Sequence, residues 1–260
     1  MKNILLPLLG IAFLSSCQTK NQEWKSLLAD NSLEGWHIFQ DKGTKTGWIV
    51  EDNVLIFNGI SDMESGEGDA SLLSDKVYEN FEIKFDWKIV SGGNSGFMWG
   101  VQEDEKYNYP YQTGPEIQIL DPAIYKDPQI ALGGEIEVNN AIEDLSAHKH
   151  YVGALYDLSA PSELNVARPA GEWNSYHIRI SYNANLGEVF LNDVRINSFP
   201  LSGPEWDSLF QLSKFNRPEE AEYLGDERWK GFGKFSSGHI CFQDHPGKVS
   251  FKNIMIKELD

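Results

Sequence analysis

Cysteine is all but missing: Cys17 and Cys241 are the only two in 260 residues. Two thiols cannot build a disulfide framework, so a packed core has to hold the fold. Basic residues are short as well, 22 lysines and arginines against 39 aspartates and glutamates, for a formal charge of −17. That balance argues against nucleic acid or anionic lipid as partner. No apolar run is long enough to span a bilayer as a helix. Helical periodicity is scarce, and no repeat, low-complexity tract or Pro/Ser-rich linker divides the chain. One domain is expected.

What is present starts at the N-terminus. Lys2 precedes an apolar run from Ile4 to Leu14, which ends in Leu14-Ser15-Ser16-Cys17. A charged start, an apolar middle and small residues before a cut are the layout of a secretory signal. The cysteine directly after Leu-Ser-Ser resembles the lipobox of bacterial lipoproteins, in which that cysteine is acylated and becomes the new N-terminus. A plain signal peptide with an incidental cysteine is the alternative. The expectation is a signal over residues 1–17 with lipidation at Cys17, a polar linker over 18–23 and one catalytic domain over 24–260. Such a protein is tethered to the cell envelope by its lipid anchor. Cys241, between Ile240 and Phe242, reads as a buried or half-buried thiol with nothing nearby to activate it.

Strand signals dominate the rest. In FEIKFDWKIV, Phe81, Ile83, Phe85, Trp87 and Ile89 alternate with Glu82, Lys84, Asp86 and Lys88, the period-2 signature of a half-buried strand. YHIRISY repeats the pattern. WIVEDNVLIF reads as a hairpin turning at Glu51-Asp52-Asn53, and GEVFLNDVRI as another turning at Asn192-Asp193. Further strands are expected over 96–102, 116–120, 237–243 and 248–257. The best helix is SGPEWDSLFQLSKF, where Ser202 and Glu205 make a capping-box pattern with Pro204 in the first turn. Many strands and one short helix predict an all-β, two-sheet jelly-roll sandwich. Two long loops, 121–151 and 200–234, carry Tyr125, Trp206, Tyr223 and Trp229 and are expected to fold over one face.

Polar residues then accumulate on that face. In TGPEIQILD, inward Ile117 and Ile119 leave Glu116 and Gln118 projecting together, roughly 7 Å apart along the strand and so able to hold a sugar ring between them. In GHICFQDHPGKV, inward Ile240 and Phe242 turn Gln243 outward. Pro246 keeps His245 extended on the same side, whereas Asp244 points away and is as well suited to bracing the turn. In GGNSGFMWG, Asn94 and Ser95 are expected to make a bulge or turn, with Asn94 a candidate substrate contact. Trp99 is a candidate sugar platform, although Phe97, Trp99 and Val101 also alternate as core. The glycines are not a phosphate loop, since no lysine and helix follow. In AHKHYVGALYDL, His148 and His150 stand two apart with Asp157 beyond, a candidate substrate contact; a third metal ligand is not identifiable, so a divalent ion has no defined site.

Six segments in order, LLADNSLEGWHIF, GNSGFMWG, TGPEIQILD, VGALYDL, GEWNSYHIRI and GHICFQDHPGKVSFKNIMIKEL, resemble the 3-keto-disaccharide hydrolase domain family over about Trp24–Leu259. The resemblance implies a concanavalin-like jelly roll acting on glycosides that a partner oxidoreductase has oxidised at C3. It points to Glu116, Gln118, Asp121, Gln243 and His245 as cleft residues. Where family members often carry an arginine after the NSG-aromatic stretch, this chain has Gly100.

A ketone at C3 acidifies the C2 proton, so a carboxylate or imidazole can remove it and the enolate can expel the aglycone from C1. That route needs a base, an oxyanion stabiliser and an acid. Glu116 is the expected base or acid, with His245 or His148 as partner, unless a bound divalent ion stabilises the enolate. Displacement by paired carboxylates is the other glycosidase route. EIQILD looks like the Glu-x-Asp-x-x-Glu strand of jelly-roll β-glucanases but has Gln118 and Asp121 at the second and third acidic positions. A conventional glycosidase and a non-catalytic carbohydrate-binding lipoprotein remain the alternatives.

Overall fold

The strict alternation from Phe81 to Ile89 builds a central strand of the larger of two sheets, with all five apolar side chains inward and 2% exposed or less. The computed structural model describes residues 23–28, 31–41, 47–59, 70–124 and 147–260. The expected signal segment, Cys17 and Tyr125 lie outside them.

In chain order the strands are β1 (Lys25–Ser26), β2 (Trp36–Ile38), β3 (Trp48–Glu51), β4 (Val54–Phe57), β5 (Leu72–Tyr78) and β6 (Phe81–Ile89). There follow β7 (Asn94–Val101), β8 (Glu116–Leu120), β9 (Asn174–Ser181), β10 (Leu186–Leu191), β11 (Val194–Phe199), β12 (Gly238–Phe242) and β13 (Val249–Glu258). One antiparallel sheet runs β11-β10-β9-β6-β13-β4-β3, with β1 added on β13; the other runs β2-β5-β12-β7-β8. Every connection crosses between the sheets except β3 to β4, β7 to β8 and the run from β9 through β11. This is the expected jelly-roll sandwich. Both hairpins turn where expected, on Asp52-Asn53 and Asn192-Asp193, four residues with positive φ that match the strand twist.

Aromatic rings fill the space between the sheets. Phe242 of the smaller sheet meets Phe251 of the larger at 4.3 Å, and Phe85 packs on Phe97, Tyr176, Phe242 and Phe251. The smaller sheet is covered on its other face too. There Leu73, Met98, Val101 and Cys241 form a second buried cluster with Phe39, so Cys241 is a packed thiol.

Three local expectations change. Asn94 and Ser95 belong to β7 rather than a turn. The turn falls earlier, at Ser91-Gly92, where Gly92 takes φ +71, and Ser95 Oγ donates to the Gln243 carbonyl. Phe97 and Trp99 face the core but Val101 does not, because Gly100 at φ +66 kinks the strand and flips the alternation. Trp99 is therefore no sugar platform: it is 1% exposed, stacks on Phe199 and donates its indole N–H to Tyr182. The third is the capping box, which does not form. Helix α1 (Gly203–Gln211) starts after Ser202, whose hydroxyl donates to Asn185 Oδ1 instead of receiving a helix N–H.

Candidate functional site

The covered face of the smaller sheet opens into a cavity of about 170 Å³, room for one sugar ring. Three adjacent strands form its floor. On β7 and β8, Asn94 and Gly96 stand beside Gln118 and Glu116, with Gly96 paired to Gln118 and Met98 to Glu116. The chain leaving β12 stays in register, Gln243 N donating to the Gly96 carbonyl, and adds Gln243 and His245. Asn94, Glu116, Gln118, Gln243 and His245 thus meet in one place, although they are spread over about 150 positions of sequence.

Glu116 is held flat by an absence. A Cβ at Gly96 would lie 1.9 Å from Glu116 Oε1, so the carboxylate occupies the space that only glycine leaves. Burial raises its pKa from 4.5 to about 7, against an opposing pull from Lys214. Gly96→Ala is therefore expected to keep the fold, since the obstructing group is the end of a flexible side chain, but to push the carboxyl off its position. Turnover should fall by about 100-fold, the order expected for an ångström of misplacement, with little change in melting temperature; unchanged kcat/KM would show that this placement is irrelevant.

Lys214 carries no sequence signal, being one of three lysines in a long loop. Ser213 accepts the Phe215 N–H and so caps the short 3-10 turn Lys214–Asn216, while Asp157 Oδ2 accepts the Lys214 N–H. The ammonium then sits 4.4 Å over the Tyr156 ring. Tyr156 itself arrives because the 153–156 segment bonds along β8, Tyr156 N to the Glu116 carbonyl and Gln118 N to the Ala154 carbonyl. Phe215, Tyr223, Trp229 and Phe232, from the 200–234 loop, line the remaining wall with Tyr111. The density of aromatics in that loop was the one available hint.

The other candidates stand elsewhere. Asp121 is 1% exposed and accepts Gly92 N and Ala123 N, a brace for two turns. Asp244 is fully buried and accepts Ala70 N and Ser71 Oγ, tying the end of β12 to the start of β5. Both hold the inward parity, Asp121 that of Ile117 and Ile119 and Asp244 that of Phe242, so alternation turns them away from the cavity. Asp157 binds His150 Nε2 at 2.8 Å; burial pushes its carboxyl up, but His150 and the Lys214 N–H together hold it below the usual range. It positions Lys214 from behind and does not line the cavity. His148 is likewise not among the lining residues, its 3-10 turn (Ala147–His150) lying off the floor. The His-x-His pair does not gather a metal site: His150 is turned to Asp157, and no group of three His, Cys, Asp or Glu side chains comes together among the described residues.

Gly100 also bears on the site. A Cβ there would stand 2.9 Å from the Phe235 carbonyl, on a backbone that already favours glycine. No arginine is tolerated at this kink, and the cavity's lysine comes from the covering loop.

A family model described as a 3-keto-alpha-glucoside-1,2-lyase-like domain matches residues 23–257. The 3-keto-disaccharide hydrolase of Bacteroides thetaiotaomicron is 30% identical over 246 residues, covering 88% of this chain and 76% of that protein. A crystal structure from Parabacteroides distasonis, provisionally named a glycosyl hydrolase, aligns with a TM-score of 0.71 at 31% identity over 91% of this chain and 94% of its own. A second from the same organism aligns with a TM-score of 0.58 at 22% identity, over 91% and 100%, and bears on the fold alone.

Proposed function

Since the chain belongs to the 3-keto-alpha-glucoside-1,2-lyase-like domain family, whose related members are named as glycosyl hydrolases, we propose that it cleaves 3-keto-glycosides by elimination at C1–C2 followed by hydration. The observation that carries this reading is the single carboxyl group in a sugar-sized cavity. Glu116 is the only carboxylate among the described lining residues, and its pKa near 7 suits proton transfer at neutral pH. Double displacement or inversion would need a second carboxylate across the bond. The neighbours here are instead the amides of Gln118, Gln243 and Asn94.

In this scheme Glu116 takes the C2 proton and the electron pair moves to the C3 oxygen as an enolate. The ammonium of Lys214 offsets that charge in a site partly shielded from water. The enolate collapses, the C1–O bond breaks, and His245 protonates the departing aglycone oxygen. Water adds to C1 of the resulting enone and the proton returns to C2, so the net reaction consumes one water. The amides orient hydroxyl groups. Asn94 Oδ1 and Trp229 Nε1 are buried without partners among the described residues, a cost that a bound sugar's hydroxyls could relieve. The substrate would come from a partner oxidoreductase acting at C3.

The test is a matched pair, a glucoside and its 3-keto derivative, incubated in deuterated water. Release of aglycone from the keto form alone, with deuterium at C2 of the product at early times, is the expected result. Cleavage of the unmodified glucoside without label would mean conventional displacement. Binding without cleavage of either would leave a carbohydrate-binding protein.

A further inference from the structure

A cavity with room for one ring leaves the aglycone to be placed, and a second depression of about 390 Å³ adjoins the first. The two share Phe215 and Trp229 as a common wall. Its lining includes Arg228, Lys230 and Lys234 with one carboxylate, Asp226, whereas the whole chain has 22 basic residues against 39 acidic ones. The local charge therefore opposes the global charge. Glu227 partly offsets Lys230, at 3.5 Å, and Arg228 donates its Nε to the Gly225 carbonyl at 3.0 Å, which orients the guanidinium. Phe210 and Trp229 give the same depression flat apolar walls.

We infer that this depression is the aglycone subsite and that it selects glycosides whose aglycone is a ring bearing an anionic group, carboxylate or sulfate. The inference rests on the reaction proposed above for the single-ring cavity. The physical reason is local. On a chain of −17 the long-range field repels an anion, so recognition has to come from cations that touch it, helped by apolar contact with the ring. Arg228 supplies a planar fork and the two lysines supply mobile point charges.

The probes are the 4-carboxyphenyl and 4-carbamoylphenyl 3-keto-glucosides, alike in shape and differing in charge. Wild-type protein should cleave the carboxylate with a kcat/KM about tenfold higher at low ionic strength, a preference carried by KM and reduced by salt. Lys230→Ala/Lys234→Ala, two exposed positions whose loss leaves folding intact, should abolish the preference and leave the carbamoyl substrate unchanged. Equal rates for both substrates in the wild type, or a preference that survives the double variant, overturns the subsite. If neither substrate is cleaved, the reaction scheme fails and titration with the two unoxidised glucosides judges the subsite alone. Tighter binding of the carboxylate by the wild type only would support it, and equal binding would overturn it.

Discussion

Glu116→Gln is expected to lower kcat/KM on a 3-keto-glucoside by roughly 100- to 10,000-fold, the range that a lost acid–base group commonly costs, while leaving the fold intact. Gln keeps the size and one acceptor of the side chain but cannot take the C2 proton. The same substitution has a second, opposite effect on stability. Glu116 is raised from 4.5 to about 7 by burial, so between those pH values the folded chain holds a proton that the unfolded chain has released. The stabilisation this gives is fully present below pH 4.5 and is lost as pH rises through about 7, on the order of 3 kcal/mol in all. Glu116→Gln removes that loss. Urea denaturation should find the variant more stable than wild type at pH 8 and nearly equal at pH 4.5. Retained turnover would end the assignment of Glu116; equal stability at both pH values would mean that its carboxyl is solvated.

Lys214→Met should cost roughly 100- to 1,000-fold in kcat, the effect of removing one preorganised group facing developing negative charge. A purely structural lysine could also reduce activity, so the distinguishing readout is the pH profile. Lys214 lowers the pKa of Glu116, and without it the carboxyl must titrate above its present value near 7. The acidic limb of kcat/KM should therefore move to higher pH in Lys214→Met. A drop in rate with an unmoved limb would place Lys214 outside electrostatic reach of Glu116. The hold on Lys214 also explains Asp157: it was a candidate substrate contact, and it acts by fixing the backbone that carries the ammonium.

The jelly-roll sandwich and half of the cavity floor were legible because strand alternation is local. Cβ direction reverses at each residue, so inward Ile117 and Ile119 oblige Glu116 and Gln118 to share the other face. The same rule turns Gln243 outward after Phe242. The rule fails where the strand does. Gly100 shifts the alternation by one, and Trp99 satisfies a core that sequence cannot separate from a platform; Asp121 and Asp244, by contrast, keep the inward parity and brace turns.

What the sequence alone determined is thus the sheet class, the strands and which side chains project from them. Tertiary structure decided which projecting groups are covered, and by what. Lys214, Tyr156 and the aromatic wall reach the cavity through capped turns and edge pairing across long separations, contacts with no period in sequence. That covering loop strips water from Glu116, and a carboxyl that alternation alone would place on a solvated surface becomes one that titrates near neutrality.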